Sequence, residues 1–217
     1  MLGLPRFFRR LAAPRVLVFA DFIDPFCYIG FHALREAARE TGARLEWRGF
    51  ELNPATPPEG MALGTAGNSD LRPGMWASVA DFAKRSGLSI SEPAYVPNTG
   101  PAQRLAAGLG SREVKIPLIE RIYQAYFSDL RDIGDVRVLI ELAGVFGIQA
   151  REVEWILAAS RPARQLARNR EEAMRWKFPG MPGFVYGGRT RFGALAQDDW
   201  KRVLGPTKAK ESSCSTK

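Results

Sequence analysis

Asp24-Pro25-Phe26-Cys27 is the stretch whose residue types and spacing could do chemistry. An aspartate followed by a proline opens a helix, because Asp is a favoured cap and Pro is favoured at the first helical position. The unpaired backbone N–H groups and the dipole at such an end favour an anion, and they lower a thiol's pKa. Two cysteines three residues apart would lie within bonding reach on that turn. Here the first of the two positions is Asp24. One sulfur closes no internal disulfide, so the ordinary dithiol cycle is not open to this site. Asp24 carries two compatible readings: a cap whose carboxylate accepts from Phe26 or Cys27 N–H, and a general base or polarising group. An ionised Asp24 disfavours a thiolate beside it. Cys27, one turn in, reads first as a buried apolar residue and second as a redox or adduct-forming thiol. Asp24 and Cys27 are the candidate catalytic residues, and Pro25 and Phe26 are candidate substrate contacts.

Phe178-Pro-Gly-Met-Pro-Gly183 is the second notable segment. Pro182 begins a strand, where its missing N–H costs least. The segment reads either as a turn-rich loop or as a cis Met181–Pro182 bond that presents the Met181 backbone to a ligand. Met181 and Pro182 therefore join the candidate substrate contacts. His32 is the only histidine and falls on the helix just past Cys27, where a lone imidazole reads as a surface or packing residue. One histidine and two distant cysteines make no zinc site, so no metal is expected. The other cysteine, Cys214, lies in a polar C-terminal stretch and reads as a flexible, exposed thiol. There is no Ser-His-Asp set, phosphate loop or dinucleotide fingerprint.

The elements that must position these residues follow from hydrophobic pattern. Arg15 to Phe22 contains the run VLVFA, a strand buried on both faces. A helix over 25–41 ends at Gly42, a favoured stop. Leu45 and Trp47 alternate with Arg44, Glu46 and Arg48 in a second strand over 43–50. Strand, helix and strand at this spacing form a parallel βαβ unit. Helical patterns follow at 74–85, 101–110, 114–128, 135–146, 150–158 and 161–177. Strands at 183–186 and 189–192 flank Gly187-Gly188, a two-residue hairpin signal, and a helix over 197–204 closes the chain.

The fold class is therefore α/β: a thioredoxin-like arrangement with a helical insertion between its βαβ half and its ββα half. The expected division is 15–56 with 161–205 as a discontinuous thioredoxin-like domain, 57–160 as the insertion, and 1–14 and 206–217 as flexible tails. The chain has 217 residues, 46% of them hydrophobic and 25% charged, which is ordinary for a globular protein. Two cysteines argue against a secreted disulfide framework and point to a reducing, cytoplasmic compartment. The net charge of +8 is scattered rather than tracted, and no nucleic-acid motif accompanies it, so no nucleic-acid partner is expected. No apolar stretch reaches the roughly 20 residues of a membrane span. The basic, apolar first fourteen residues are interrupted by Arg6, Arg9 and Arg10, which disfavours a cleaved signal peptide.

Several of these segments resemble one family. Phe19 to Leu34, FADFIDPFCYIGFHAL, is similar to the active-site strand and helix of the DsbA-like group that includes the FrnE oxidoreductases, where a Cys-Pro-Trp-Cys-Tyr-x-Gly run stands. Trp47 to Pro54, Pro97-Asn98-Thr99 with Arg104, Ala125 to Asp135, and Gly180 to Val185 with Gly193-Ala194 and Gln197 resemble other parts of that group. The resemblance covers about 15–204. It implies a thiol oxidoreductase-like protein with a degenerate site, acting on a small-molecule, thiol or peptide ligand, and it adds Asn98 to the substrate contacts. By the same resemblance, Asp24 stands where the attacking cysteine would be, and Cys27 matches the second, usually buried one. The fold also serves kappa-class glutathione transferases and 2-hydroxychromene-2-carboxylate isomerases, in which a serine at the Asp24 position helps hold the glutathione thiolate. Two alternatives follow: a glutathione-dependent isomerase or transferase, and a non-catalytic binding module. No resident cofactor is expected, with glutathione as the candidate ligand. Gly183 is expected to leave the pocket wall bare beside the proline. Oligomeric state is not legible.

Overall fold

The computed structural model describes residues 13–62 and 75–205. Gly74, Cys214 and the segments 1–12 and 206–217 lie outside the described residues. The elements run β1 (Arg15–Ala20), α1 (Pro25–Thr41), β2 (Arg44–Gly49), β3 (Met61–Ala62), α2 (Met75–Arg85), β4 (Tyr95–Val96) and α3 (Gly100–Gly108). They continue with α4 (Lys115–Phe127), α5 (Val136–Gly144), α6 (Ala150–Ala158), α7 (Ser160–Trp176), β5 (Gly183–Tyr186), β6 (Arg189–Phe192) and α8 (Gln197–Leu204). Four strands form a mixed sheet in the order β2-β1-β5-β6, with β1 and β2 parallel and the other neighbours antiparallel. This is the expected parallel unit joined to a hairpin.

The alternation of β1 sorts the core into two layers. Val16, Val18 and Ala20 belong to the cluster that also holds Phe31 and Leu34 of α1, Phe184 of β5 and Trp200 of α8. Leu17 and Phe19 belong instead to a smaller cluster with Ala173 of α7 and Val185. Helices therefore cover both faces of the sheet, which is why β1 needs an unbroken apolar run. Burying one large side chain of such a cluster stabilises by roughly 1.5–3 kcal/mol. The helical segment between β2 and α7 adds Ile119, Ile122, Tyr123 and Phe127 of α4 to the same large cluster.

Local chemistry sets the element ends. Helix α1 stops at Gly42, whose φ of 71° is the left-handed conformation glycine tolerates best, and whose N–H bonds the Ala38 carbonyl. Gly187 and Gly188 have φ of 53° and 74°, the pair of positive angles a tight β5–β6 hairpin requires. The first strand ends at Ala20 rather than at Phe22. The Asp21 carboxylate takes the Phe22 N–H at 2.7 Å, and the Asp21 carbonyl accepts from the Tyr123 hydroxyl at 2.9 Å, so the backbone leaves the ladder there. The two-residue ladder of β3 and β4 was not expected; it pairs Met61 with Val96 and Ala62 with Tyr95.

Candidate functional site

Helix α1 presents its N-terminus at the C-terminal end of β1. Asp24 is its cap: Oδ1 accepts from Phe26 N at 2.7 Å and from Cys27 N at 3.2 Å, and Pro25 follows where its missing N–H is no loss. The Cys27 side chain lies close enough to the Asp24 carboxylate for each group to shift the other's titration. Asp24 and Phe26 are partly exposed, whereas Pro25 and Cys27 are buried and Cys27 has no accessible surface. The Phe26 ring lies 6.4 Å from Phe82 of α2, so the helical segment supplies part of the wall over the tip. Burial pushes the Asp24 carboxyl up to about 6 despite its two backbone hydrogen bonds. Burial also drives the Cys27 thiol well above its ordinary range, and the Asp24 and Asp21 charges push it further. The accessible titratable group at this tip is therefore a carboxyl poised near neutrality, and the sulfur behind it is held neutral.

A second carboxyl lies beneath the tip, and the sequence reading missed it. Asp21 has no accessible surface. Its carboxylate accepts from Phe22 N and Leu52 N, each at 2.7 Å, and from Gln103 Nε2 at 3.1 Å. Thr99 adds a further side-chain bond, yet burial outweighs these donors and pushes Asp21 up to about 6. Gln103 is buried too. Its amide nitrogen also reaches the Ala20 carbonyl at 3.2 Å, and its oxygen accepts from Trp47 Nε1 at 3.3 Å. One glutamine thus ties α3 to the end of β1 and to β2. The signal for Asp21 was an acid inside the apolar run Phe19-Ala20-Asp21-Phe22; apart from Phe22, its partners were 31 to 102 residues away and carried no local pattern.

The β1–β5 ladder pairs Phe19 with Gly183, which sets Pro182 and Met181 at the same end of the sheet as Asp21 and Asp24. The Met181–Pro182 peptide is cis, Pro182 is buried and Met181 is partly exposed. The Pro182 carbonyl accepts from Gly193 N at 2.9 Å. The next residue, Ala194, packs on Gly30, where an added Cβ would lie 3.2 Å from the Ala194 Cα. The turn after β6 therefore links the proline to α1 one turn past Cys27. Gly183 does not leave a bare wall. A Cβ there would stand 2.7 Å from the Phe178 ring, which fills the space and lies 5.4 Å from Phe19.

Asn98 serves the backbone of its own loop: Nδ2 donates to the Thr56 carbonyl at 2.6 Å and Oδ1 accepts from Gly100 N at 2.9 Å. It lines a cavity of about 540 Å³ with Glu51, Arg104 and Arg170, to which neither Asp24–Cys27 nor Met181–Pro182 contributes. His32 is not without a partner. Its Nδ1 lies 3.3 Å from Glu120 Oε1 on α4, and its ring, Glu36 and Glu120 bring ligating atoms within 4.8 Å of one another. The Arg35 guanidinium pairs with both of those carboxylates and competes with any cation there.

Residues 15–205 match the family model described as DSBA-like thioredoxin domain. The chain belongs to that family. A Bacillus subtilis (strain 168) protein, the uncharacterised YwbO, is 24% identical over 204 residues, spanning 90% of this chain and 98% of that one. Among solved structures, a probable DsbA oxidoreductase from Streptomyces coelicolor superposes with a TM-score of 0.77 at 23% identity, covering 92% of this chain and 94% of its own. A 2-hydroxychromene-2-carboxylate isomerase gives 0.69 at 15% identity, covering 87% and 92%. The cytosolic disulfide reductase DsbM of Pseudomonas aeruginosa, solved with GSH, gives 0.66 at 18%, covering 88% and 96%. These likenesses establish the thioredoxin-like fold of the DsbA family. Within that family, the sequence of this chain has Asp24 three residues before Cys27, and no helix among its described residues is long and apolar enough to cross a membrane.

Proposed function

We propose that this DsbA-family protein binds a small molecule or thiol at the tip of α1, beside Met181–Pro182, and works there by proton transfer at Asp24 rather than by disulfide exchange. The observation that carries this reading is which group is open at the tip: Asp24 is partly exposed, whereas Cys27, the one sulfur there, has no accessible surface. A group titrating at about 6 is ionised over most of its population at pH 7, and it accepts a proton without a large thermodynamic penalty. Phe26 and Met181, both partly exposed, then supply apolar contact with Pro25 buried behind them, and Asn98 acts at a distance by fixing the 56–100 loop.

The test is a pair of assays on the whole chain. Insulin reduction with dithiothreitol is expected to show no rate above background, and Asp24→Cys is expected to create one, because the second cysteine then stands where a dithiol needs it. A wild-type rate that disappears in Cys27→Ser contradicts the reading. A second reading, a glutathione-dependent isomerase or transferase, is favoured by the structural likeness to a reductase solved with GSH and to an isomerase. Calorimetric titration with glutathione decides it: heat at millimolar ligand supports it, and none removes it. A peptide-binding module without turnover predicts binding that Cys27→Ala leaves unchanged. The FrnE-type assignment and a cytosolic location remain parts of the same proposal.

A further inference from the structure

A cavity of about 500 Å³ lies between β2, the end of α3, the start of α4 and the junction of α6 with α7. No residue of α1 or of the Met181–Pro182 segment lines it. Its floor is apolar, with Trp47 and Ile156, and Pro162 beside them, all buried. At its rim stands Trp155, 69% exposed, a large aromatic surface that folding leaves uncovered. Arg161 lines the same cavity, is exposed, and has no hydrogen bond or ion pair among the described residues. Lys115 reaches in from the first position of α4, its ammonium touching one protein acceptor, the Gly110 carbonyl at 3.2 Å. The buried Asn169 closes the back, its amide donating to the Gly49 carbonyl at 3.2 Å.

These groups make a site of a recognisable chemical kind. A flat ring face, a free guanidinium and a half-buried amine converge on a concave surface with an apolar floor, the usual build of a small-molecule site. We propose that this cavity is a second ligand site, taking a planar organic aldehyde that carries an anionic group, with Trp155 stacking on the ring, Arg161 pairing with the anion and Lys115 forming an imine with the carbonyl. In that step the neutral Lys115 nitrogen adds to the carbonyl carbon, and the carbonyl oxygen leaves as water. One C=N bond replaces one C=O bond, and no electrons are transferred. Burial first, and the Arg48 charge on β2 with it, lower Lys115 to about 8 against the opposing pull of Glu46. About a quarter of Lys115 is then neutral at pH 7.5, against about a thousandth of an ordinary lysine.

Pyridoxal 5′-phosphate is a suitable probe, because it combines a planar ring, a phosphate and an aldehyde. The full chain is incubated with the probe at pH 7.5. Borohydride then delivers hydride to the imine carbon and fixes the adduct as a secondary amine, which is mapped by mass spectrometry. Lys115 is expected to label at least about ten-fold faster than the exposed Lys84 and Lys177. Trp155→Ala, a change at an exposed position, is expected to slow Lys115 labelling several-fold while leaving Lys84 unchanged. Lys115→Arg keeps the charge and is expected to abolish the fast adduct. Equal labelling of Lys115, Lys84 and Lys177, or no effect of Trp155→Ala, overturns the proposal.

Discussion

Replacing Asp21 by asparagine should flatten the pH dependence of stability. The buried carboxyl is pushed from 3.8 to about 6. Its raised value means that the native state binds this proton more tightly than the unfolded chain. Stability from this group is therefore fully present below pH 4 and is lost as pH rises through 6. A shift of about two units at roughly 1.4 kcal/mol each makes the loss about 3 kcal/mol. Asparagine keeps the shape but has one oxygen for donors that now meet two: Phe22 N and Gln103 Nε2 on one side, Leu52 N on the other. The donor left facing an NH2 group costs about 1–3 kcal/mol at every pH. At pH 7 the wild type has lost its about 3 kcal/mol, so Asp21→Asn should equal it or exceed it by up to about 2 kcal/mol, whereas at pH 4 the variant should be the less stable by about 1–3 kcal/mol. Urea denaturation of both proteins at pH 4, 5, 6 and 7 gives the difference directly. A gap between them that stays constant across this range would show that the Asp21 carboxyl is not held near 6, and the account of the buried network would fail.

Three further outcomes are expected. Asp24→Ala removes both cap bonds and should cost about 1 kcal/mol in chemical denaturation, whereas Asp24→Asn, an equally good cap, should cost little; equal losses would show that charge rather than capping holds the tip. Gly183→Ala drives a Cβ to 2.7 Å from the Phe178 ring and should destabilise by roughly 1–3 kcal/mol, visible as a lowered Tm. Tyr123→Phe frees the Asp21 carbonyl and should cost about 1 kcal/mol, with the pH dependence of stability preserved because the carboxylate donors remain.

The parts of the fold read from sequence are those written in local signals. Asp24-Pro25 and Gly42 bracket α1 at both ends, and Gly187-Gly188 marks the β5–β6 hairpin, because caps and tight turns depend on a few neighbouring residues. The ladder of β3 with β4 escaped because two residues show no period. Asp24 as the cap and Cys27 as a buried residue were legible from helix position alone, but their surroundings were not. Asp21, Gln103, Thr99 and Leu52 meet only through the tertiary fold. Likewise nothing in the Phe178–Gly183 run says that the phenylalanine ring folds back over the glycine. His32 read as solitary because Glu120, its partner, is 88 residues away.

Cys27 alkylation measures the central idea most directly, since it asks whether the sulfur or the carboxyl faces the ligand. The native chain is treated with iodoacetamide at pH 7 to 8.5, and modification of Cys27 is mapped by mass spectrometry against the same chain in urea. Native Cys27 is expected to react orders of magnitude more slowly than in urea, at a rate that rises with denaturant and follows pH only as the ordinary thiol of the opened chain does. Fast labelling of folded protein, rising with pH through a midpoint below the ordinary thiol value, would mean an accessible thiolate at the α1 tip and would contradict that idea.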